Sequence, residues 1–379
     1  MKYLHVLPPY STNPYTFIRF IKDNFSEKDH SFLIMSSLDW CIKNNSRLLA
    51  FPDIIYLPKG KNTRYFRFLQ IRYCIHLLNQ AQHIIWHSYF PLKGIQMLYF
   101  FTRKNILQKS VWIEHSLDLY NWSWTPKNLK SYLLKKLHFR MRGKVPCVGL
   151  TALSDQEEWK RQFGDNTVFF ETTSPLLPQH LEELKYYLNH PQKHQKPVFM
   201  IGYDWLSYNN HKEIAKLLLP FAEEEFSILL PMNFAMPYEY GHKATRKYRI
   251  EVRNFIEKTL SRRVSLLTRS AVPPQSYFRT IGAVDIAIFS GERPIKFDLL
   301  FYLLLMGKKV FLPASKPLFR YFKECGISVY DTDSIPQMTY QEFISPPTPS
   351  SLDWLLDRTF GKGIVEQWSN LFEYLRGKE

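Results

Sequence analysis

The chain has 379 residues, which is too many for one ordinary hydrophobic core and indicates two domains of similar size. Its composition, 45% apolar and 22% charged, is that of a globular protein and excludes a low-complexity chain. The net charge is +16, and residues 1–190 carry +11 of it (25 Lys and Arg against 14 Asp and Glu). A basic surface of this kind suits nucleic acid, an anionic membrane or a phosphorylated substrate.

Cysteine usage and hydropathy bear on the compartment. The four cysteines form no CxxC pair, so free thiols in a reducing compartment are indicated rather than structural zinc. No apolar run approaches the roughly 20 residues that span a bilayer. The first residues, MKYLHVLPPY, have the pattern of a strand rather than of a signal peptide. We therefore expect a cytoplasmic protein that can lie on a membrane surface.

In residues 1–175, short β-branched runs alternate with helical patterns. Strands are predicted at residues 2–7, 31–36, 54–57, 83–89, 111–115, 147–152 and 167–172. Helices are predicted between them at residues 15–25, 63–79, 93–102, 127–142 and 155–163. This alternation predicts a parallel sheet covered on both faces.

A segment rich in Pro, Gln and His, residues 176–197, is typical of an interdomain linker and holds one predicted helix at 178–188. A second alternating unit occupies residues 198–345 and includes a predicted helix at 210–224. A tail with two predicted helices occupies residues 346–379. The predicted fold class is therefore α/β, with two doubly wound, Rossmann-like domains and a C-terminal helical tail. Such sheets bind ligands at the carboxyl ends of their strands, so two domains facing each other predict a site in the cleft.

The stretch from Val284 to Pro313 predicts a strand, a turn, a helix and a second strand at residues 309–312. Its turn brings Glu292, Arg293 and Lys296 beside a helix N-terminus. The unpaired N–H groups and partial positive charge of that terminus suit an anionic ligand such as a diphosphate. The alternative is an ordinary βαβ connection with a charged loop, which this stretch alone favours.

A polar loop from Gly202 to His211 follows the first strand of the second unit. Gly202 permits close backbone approach, Asn210 is placed to cap a helix, and His211 falls in its first turn. The loop is interpreted as a phosphate or sugar contact, or only as a capped connection.

A group of polar residues ends a strand of the first unit. Glu114, His115 and Asp118 fall at the C-terminal end of the strand at 111–115, and His87 ends the preceding strand. A carboxylate or imidazole at this edge can take a proton from an attacking hydroxyl, or it can serve only to order the loop. The sequence does not say which group is the base.

The segment 127–144 has seven Lys and Arg and no acid. It predicts a basic amphipathic helix that either rests on anionic lipid or is a solvated face. The missing acids and the interleaved aromatic residues favour the membrane. The predicted membrane-binding residues are Lys127, Lys130, Lys135, Lys136, Arg140 and Arg142.

Motifs for other chemistries are missing from the sequence. There is no GxGxxG, P-loop, HExxH or GxSxG, and the single DxD, Asp331-Thr332-Asp333, is interpreted as a turn. Neither a metal nor a nicotinamide is suggested, so we predict no cofactor.

A series of short motifs carries a family resemblance. They are, in chain order, His5-Val6-Leu7, His87-x-x-Phe90, Trp112, Asp118-Leu119-Tyr120, Cys147, the Gly202 loop with its Asn and His, Pro231-Met232, Tyr277, Asp285, Arg293 and Gly307. By these the chain resembles the TDP-N-acetylfucosamine:lipid II N-acetylfucosaminyltransferases. These are GT-B glycosyltransferases of enterobacterial common antigen assembly.

The resemblance implies a metal-independent GT-B glycosyltransferase in bacterial surface glycan synthesis. It implies transfer of a sugar such as N-acetylfucosamine from a TDP-sugar to a polyprenyl-diphosphate-linked saccharide. The enzyme would be peripheral, on the cytoplasmic side of the inner membrane, with residues 1–175 facing the acceptor and residues 198–345 holding the nucleotide sugar. The implied donor-binding residues are Gly202, Tyr203, Asn210, His211, Pro231, Tyr277, Glu292, Arg293 and Lys296.

Two other functions stay open. A GT-B sugar-nucleotide epimerase shares the fold and needs no lipid. A nucleic-acid-binding protein is suggested only by the pI of about 9.5, and it is less favoured because no nucleic-acid module is visible.

Overall fold

The structure of the protein is a computed structural model. It describes residues 1–9, 13–59, 64–87, 103–114, 119, 129, 132–133, 136, 139, 142–175, 178–190, 194–204, 207–231, 242–260, 265–269, 277–291, 297–349 and 352–378. The chain divides into two units, one made of Met1–Leu177 with Arg358–Glu379 and the other of Pro178–Asp357.

The first unit is built on a seven-stranded parallel sheet. Its strands are β1 (Tyr3–Leu7), β2 (His30–Ser37), β3 (Ile55–Leu57), β4 (His83–His87), β5 (Ser110–Ile113), β6 (Cys147–Leu150) and β7 (Val168–Glu171). Their order is β3-β2-β1-β4-β5-β6-β7. The chain changes sides between β3 and β4, so the carboxyl ends of β1 and β4 form the switch point where doubly wound sheets bind ligands.

Helices cover both faces of this sheet, and β1 shows why. Apart from the C-terminal helix, the helices whose bounds the structure describes are α1 (Asn13–Asn24), α2 (Leu38–Asn44), α3 (Arg64–Gln80), α4 (Lys104–Gln108) and α5 (Asp155–Phe163). Side chains alternate along a strand, so Leu4 and Val6 join the core with α3, whereas Tyr3 and Leu7 join the core with α1. All five residues of β1 are buried, as expected for a central parallel strand.

The C-terminal helix completes the first unit. This helix, α14 (Lys362–Arg376), places Trp368 and Phe372 in the same core as Tyr3. Trp368 Nε1 donates to the carbonyl oxygen of Thr173 at 3.1 Å, and Tyr3 Oη donates to that of Phe372 at 3.1 Å. The end of the chain is therefore an integral layer over β1, held by apolar packing and by hydrogen bonds.

The second unit has a six-stranded parallel sheet in the order β10-β9-β8-β11-β12-β13. Its strands are β8 (Val198–Ile201), β9 (Ser227–Pro231), β10 (Ser265–Arg269), β11 (Ile286–Ile288), β12 (Lys309–Leu312) and β13 (Tyr330–Asp331). Its helices are α6 (Pro178–Asn189), α7 (His211–Leu217), α8 (His242–Thr259), α9 (Tyr277–Gly282), α10 (Phe297–Leu305), α11 (Pro317–Glu324) and α12 (Tyr340–Ile344). The helix α13 (Leu352–Phe360) contains the boundary between the units. The switch point of this sheet lies between β8 and β11.

The prediction of an α/β fold with two doubly wound parallel sheets and a helical tail is confirmed. The helices of the predicted linker and tail pack as parts of the two units. Helix α6 belongs to the second unit, where the ring centroid of His180 lies 5.4 Å from that of Phe278, whereas α14 belongs to the first. The helix predicted at 93–102 lies outside the described residues.

Two local differences have clear physical causes. The helix predicted at 210–224 ends at Leu217 and is followed by a 3-10 turn, Leu219–Phe221, because Pro220 has no N–H to donate. Helix α12 was not predicted, although its sequence carries a capping box in which Thr339 and Glu342 each accept from the other's backbone N–H. No helix in the described parts of the chain is long and apolar enough to cross a membrane.

Candidate active site

The loop after β8 is shaped by a glycine and an asparagine. Gly202 has a φ of +66°, and its N–H donates to the carbonyl oxygen of Ile288 in β11 at 3.1 Å. A Cβ at this position would lie 2.6 Å from Nε2 of His211, so a larger residue would displace that ring. Asn210 has a φ of +54°, a left-handed conformation in which asparagine is enriched. These two residues turn the chain from the end of β8 into α7.

The carboxyl group of Asp204, which is buried, holds the same loop together. Its Oδ1 accepts from Asn209 Nδ2 at 2.6 Å, and its Oδ2 accepts from the hydroxyl of Tyr208. Asn209 Oδ1 in turn accepts from the N–H of Tyr203 at 3.2 Å. Burial raises the pKa of Tyr208, and the neighbouring Tyr203 and Asp204 raise it further, so the hydroxyl stays protonated and donates. We refer to these four residues as the Asp204 network.

The Asp204 network did not emerge from the sequence, apart from Tyr203. Its other members look like any polar loop, since a spacing of four or five residues carries no helical or strand pattern once the chain turns. The signal that did exist was the pairing of Gly202 with Asn210, two residue types suited to positive φ at the two ends of one short loop.

His211 points into the second unit. Its side chain is almost fully buried, and Nδ1 lies 3.1 Å from the hydroxyl of Tyr248 in α8. Burial lowers the pKa of His211 to about 4, opposed by a hydrogen bond with the backbone of Asp204. The ring is therefore neutral at pH 7 and ties α7 to α8 and to the loop.

The other donor-binding candidates are placed as follows. Asn210 Nδ2 donates to the carbonyl oxygen of Ser290 at 2.9 Å, which joins the loop to the chain just beyond β11. Pro231 ends β9, and Tyr277 begins α9 with its ring centroid 6.1 Å from that of Tyr302. Because all the strands are parallel, Gly202, Asn210 and Pro231 lie at one edge of the sheet. Glu292, Arg293 and Lys296 lie outside the described residues.

In the first unit, Glu114 follows β5 and is fully buried, with 0% of its surface exposed. Its Oε1 accepts from the N–H of Leu119 at 3.1 Å, and its own N–H donates to the carbonyl oxygen of Gly149 at 2.8 Å. The carboxyl group therefore orders the chain after β5. His115 and Asp118 lie outside the described residues.

His87 ends β4 at the switch point of the first sheet and is 4% exposed. Its Nε2 lies 3.1 Å from Nδ1 of His5, the central residue of β1. Phe17 lies against the ring, with centroids 4.2 Å apart, and Trp368 is stacked with it at 6.0 Å. His5 was noted in the sequence only as part of a motif. Its alternation with Tyr3 and Leu7 could have placed it inside the core.

One residue of the basic segment 127–144 is placed differently from its prediction. Arg142 is 3% exposed, and its guanidinium carbon lies 4.4 Å from the ring centroid of Trp112. A guanidinium stacks well on an indole face, so Arg142 packs into the first unit and the prediction that it binds a membrane is wrong.

Several other described residues of the segment are exposed. Leu129 is 73% exposed, Tyr132 and Leu133 are exposed as well, and the ammonium of Lys136 lies 4.8 Å from the ring centroid of Tyr132. Lys127, Lys130, Lys135 and Arg140 lie outside the described residues. Within the described ranges, no group of three or more His, Cys, Asp or Glu could hold a metal ion.

Comparison with known proteins bears on the fold. No protein-family model and no curated protein sequence matches the chain. The structure of Anabaena Alr3699/HepE in complex with UDP and glucose matches with a TM-score of 0.62 and 13% identity, over 98% of this chain and 99% of that one. A glycosyltransferase from Rickettsia africae ESF-5 matches with a TM-score of 0.59 and 10% identity, over 100% and 99%. WaaG, a glycosyltransferase involved in lipopolysaccharide biosynthesis, matches with a TM-score of 0.51 and 11% identity, over 96% and 95%.

The chain has the GT-B fold. The predicted fold is thereby confirmed along essentially the whole length of the chain. At these low identities the likeness is one of fold alone.

Proposed function

We propose that the chain is a glycosyltransferase that moves a sugar from a nucleotide diphosphate to an acceptor hydroxyl. The observation that carries this proposal is the Gly202–Asn210 loop, a network of polar side chains at the carboxyl edge of the second sheet of a GT-B fold. Open α/β sheets bind ligands at that edge, and backbone N–H groups and amide side chains there are suited to phosphate and sugar oxygens. The fold neighbour HepE is described in complex with UDP and glucose, which supports a nucleotide-sugar donor.

For the donor, we propose a TDP-linked, N-acetylated deoxyhexose such as N-acetylfucosamine, on the strength of the sequence motifs. Arg293 and Lys296, which follow β11 in the chain, supply positive charge for the leaving diphosphate. Preorganised positive groups stabilise the charge that develops on a leaving group. That the reaction needs no metal stays a prediction from the sequence.

For the acceptor, we propose a polyprenyl-diphosphate-linked saccharide bound by the first unit. His87 and Glu114 are its described base or orienting candidates, at the carboxyl ends of two adjacent strands, and His115 and Asp118 stay candidates from the sequence. The neighbour WaaG is described as acting in lipopolysaccharide biosynthesis, which supports a glycolipid acceptor. Action at the cytoplasmic face of a bacterial inner membrane follows from such an acceptor.

Binding and turnover with defined sugar nucleotides test the proposal. We expect one of a panel of TDP-, UDP- and GDP-sugars to raise the melting temperature of the full chain, because a ligand that binds only the folded state stabilises it. Release of the nucleoside diphosphate should then require a polyprenyl-diphosphate-linked saccharide. Conversion of the sugar nucleotide without an acceptor would instead identify an epimerase. Binding of none of the panel, with salt-dependent binding of DNA, would identify a nucleic-acid-binding protein.

Neutralising three basic residues of the basic segment 127–144 should weaken binding of the protein to anionic vesicles about tenfold or more. Each Lys or Arg near the membrane surface contributes up to about 1 kcal/mol to this binding. The variant carries Lys135→Gln, Lys136→Gln and Arg140→Gln, and Arg142 is left unchanged because it is buried. The measurement is sedimentation with vesicles that contain phosphatidylglycerol.

A matched control removes the same charge from exposed lysines of the second unit, with Lys185→Gln, Lys216→Gln and Lys247→Gln. Equal sedimentation of the two triple variants would show that the basic segment 127–144 is an ordinary solvated face.

A further inference from the structure

Three buried histidines form a continuous hydrogen-bonded chain along one face of the first sheet. His5 Nδ1 lies 3.1 Å from His87 Nε2, and His5 Nε2 lies 2.9 Å from His30 Nδ1. His30 begins β2, His5 is the middle of β1 and His87 ends β4, so the chain runs from the amino edge of the sheet to its carboxyl edge. We call these residues the histidine chain.

The geometry of the histidine chain links the protonation of its members. Both bonds join Nδ1 of one ring to Nε2 of the next, and a neutral imidazole has one N–H and one bare nitrogen. If His87 donates from Nε2, then His5 accepts at Nδ1 and must donate from Nε2, and His30 carries its proton on Nε2. If His5 donates from Nδ1, then all three rings carry their protons on Nδ1. The three neutral rings must therefore share one tautomer.

We propose that His5 and His30 are positioning residues which fix the tautomer of His87 and carry a proton between His87 and the opposite edge of the sheet. The use of that proton in catalysis rests on the proposed function, with His87, one of its base candidates, taking the proton from the acceptor hydroxyl. The shared tautomer does not rest on that function.

The proton movements balance along the chain. Starting from the Nε2–H form, His87 Nδ1 gains the proton of the hydroxyl as the O–H bond breaks. Nε2–H of His87 passes its proton to Nδ1 of His5, and Nε2–H of His5 passes its proton to Nδ1 of His30. His30 then releases its Nε2 proton to water, and all three rings end in the Nδ1–H form. One proton enters and one leaves, and the reverse movement restores the starting form.

The surroundings favour relay over storage of charge. Around His30, the charged groups are Asp29, which favours the imidazolium, and Arg376 of α14, which opposes it. Burial lowers the pKa of His30 to about 4 and that of His5 well below its usual value. A proton that reaches His30 is therefore passed on rather than held. The rings of Tyr3, Phe17, Phe372 and Trp368 pack against members of the histidine chain.

The first test measures ring nitrogens in the full chain labelled with ¹⁵N-histidine, at pH 7.5 and without any substrate. Protonated and bare ring nitrogens differ widely in ¹⁵N chemical shift, and the signals are assigned by replacing each histidine in turn. We expect His5, His30 and His87 to share one tautomer. Unlike tautomers among the three would overturn the proposal, whether or not any variant folds and whether or not sugar transfer is found.

The second test uses His30→Phe, which the surrounding aromatic side chains should accommodate. His83→Phe is the matched control, because His83 is also buried and stacks on Tyr3 but is not a member of the histidine chain. We expect His30→Phe to shift the ¹⁵N signals of His87, two rings away, and to lower kcat tenfold or more while KM changes less than twofold. His83→Phe should leave the ¹⁵N signals of His87, kcat and KM unchanged. Equal effects of the two substitutions on the His87 signals would refute the relay.

Discussion

The free energy of unfolding is expected to fall steeply as the pH is lowered from about 6.5 to about 4. Burial lowers the pKa of His30 and of His211 to about 4, and it lowers that of His5 well below its usual value. In the unfolded chain these histidines titrate near pH 6.5. Between the two values the unfolded chain binds protons that the folded chain does not, so acid favours unfolding. The stability is complete above about pH 6.5 and is lost as the pH falls toward 4.

The free energy of unfolding should depend strongly on pH because several buried histidines contribute together. Each histidine that is neutral in the folded state and charged in the unfolded state contributes up to about 1.4 kcal/mol per pH unit. His5 and His30 belong to the first unit and His211 to the second. Amide hydrogen exchange between pH 7.5 and 5, followed separately on peptides from β1 and β8, gives the slope for each unit. A stability independent of pH over this range would contradict the buried, neutral state of these rings.

A substitution makes the assignment specific. His30→Phe should reduce the pH dependence of the free energy of unfolding measured on β1 by the equivalent of about one proton. The pH dependence measured on β8 should be unchanged, since β8 lies in the other unit. The control is His76→Gln, which removes an exposed histidine on α3. If both substitutions change the β1 slope equally, the acid sensitivity has another source.

Much of the fold was predictable because short-range patterns determine it. Helix α5 and strand β12 were predicted to the residue, since an acidic first turn marks the first and a bounded apolar run the second. The packing of α14 over β1 was not predictable. Its contacts join Tyr3 to Phe372, and no periodicity connects residues that lie 369 positions apart.

The site was predictable only where backbone geometry demands a residue type. Gly202 and Asn210 stand at positive φ, which few other residues tolerate, so the sequence marked the loop. The burial of single polar residues, in contrast, could not be recognised in the sequence. Arg142 continues a run of basic residues in the sequence, yet Trp112 offers its guanidinium a buried surface. In the same way, His5 looks like any polar residue in a strand until His30 and His87 are seen beside it.

Replacing Asp204 by alanine is expected to cost about 3 kcal/mol of stability in the second unit, because a buried donor left without its acceptor costs about 1–3 kcal/mol. The substitution removes the acceptor of both the Tyr208 hydroxyl and the Asn209 side-chain amide. The two donors lie in one network, so their contributions will not add fully. Urea unfolding followed by hydrogen exchange on β8 measures the loss.

The same substitution should weaken binding of the sugar nucleotide, and conservative variants separate this from simple unfolding. In Asp204→Asn, the remaining side-chain oxygen can still accept from Asn209, and the Tyr208 hydroxyl can accept from the new amide. This variant should therefore lose about 1 kcal/mol and keep most of its donor affinity. Tyr208→Phe removes one donor and leaves the bond to Asn209, so it should behave similarly.

The decisive comparison is made at a temperature where all three variants are folded. If the loop holds the donor, affinity falls most for Asp204→Ala and by less for the two conservative variants, because only alanine releases Asn209 and with it the backbone of Tyr203. Unchanged donor affinity in folded Asp204→Ala would mean that the Asp204 network supports the sheet alone. The sugar nucleotide would then bind through other residues of the chain.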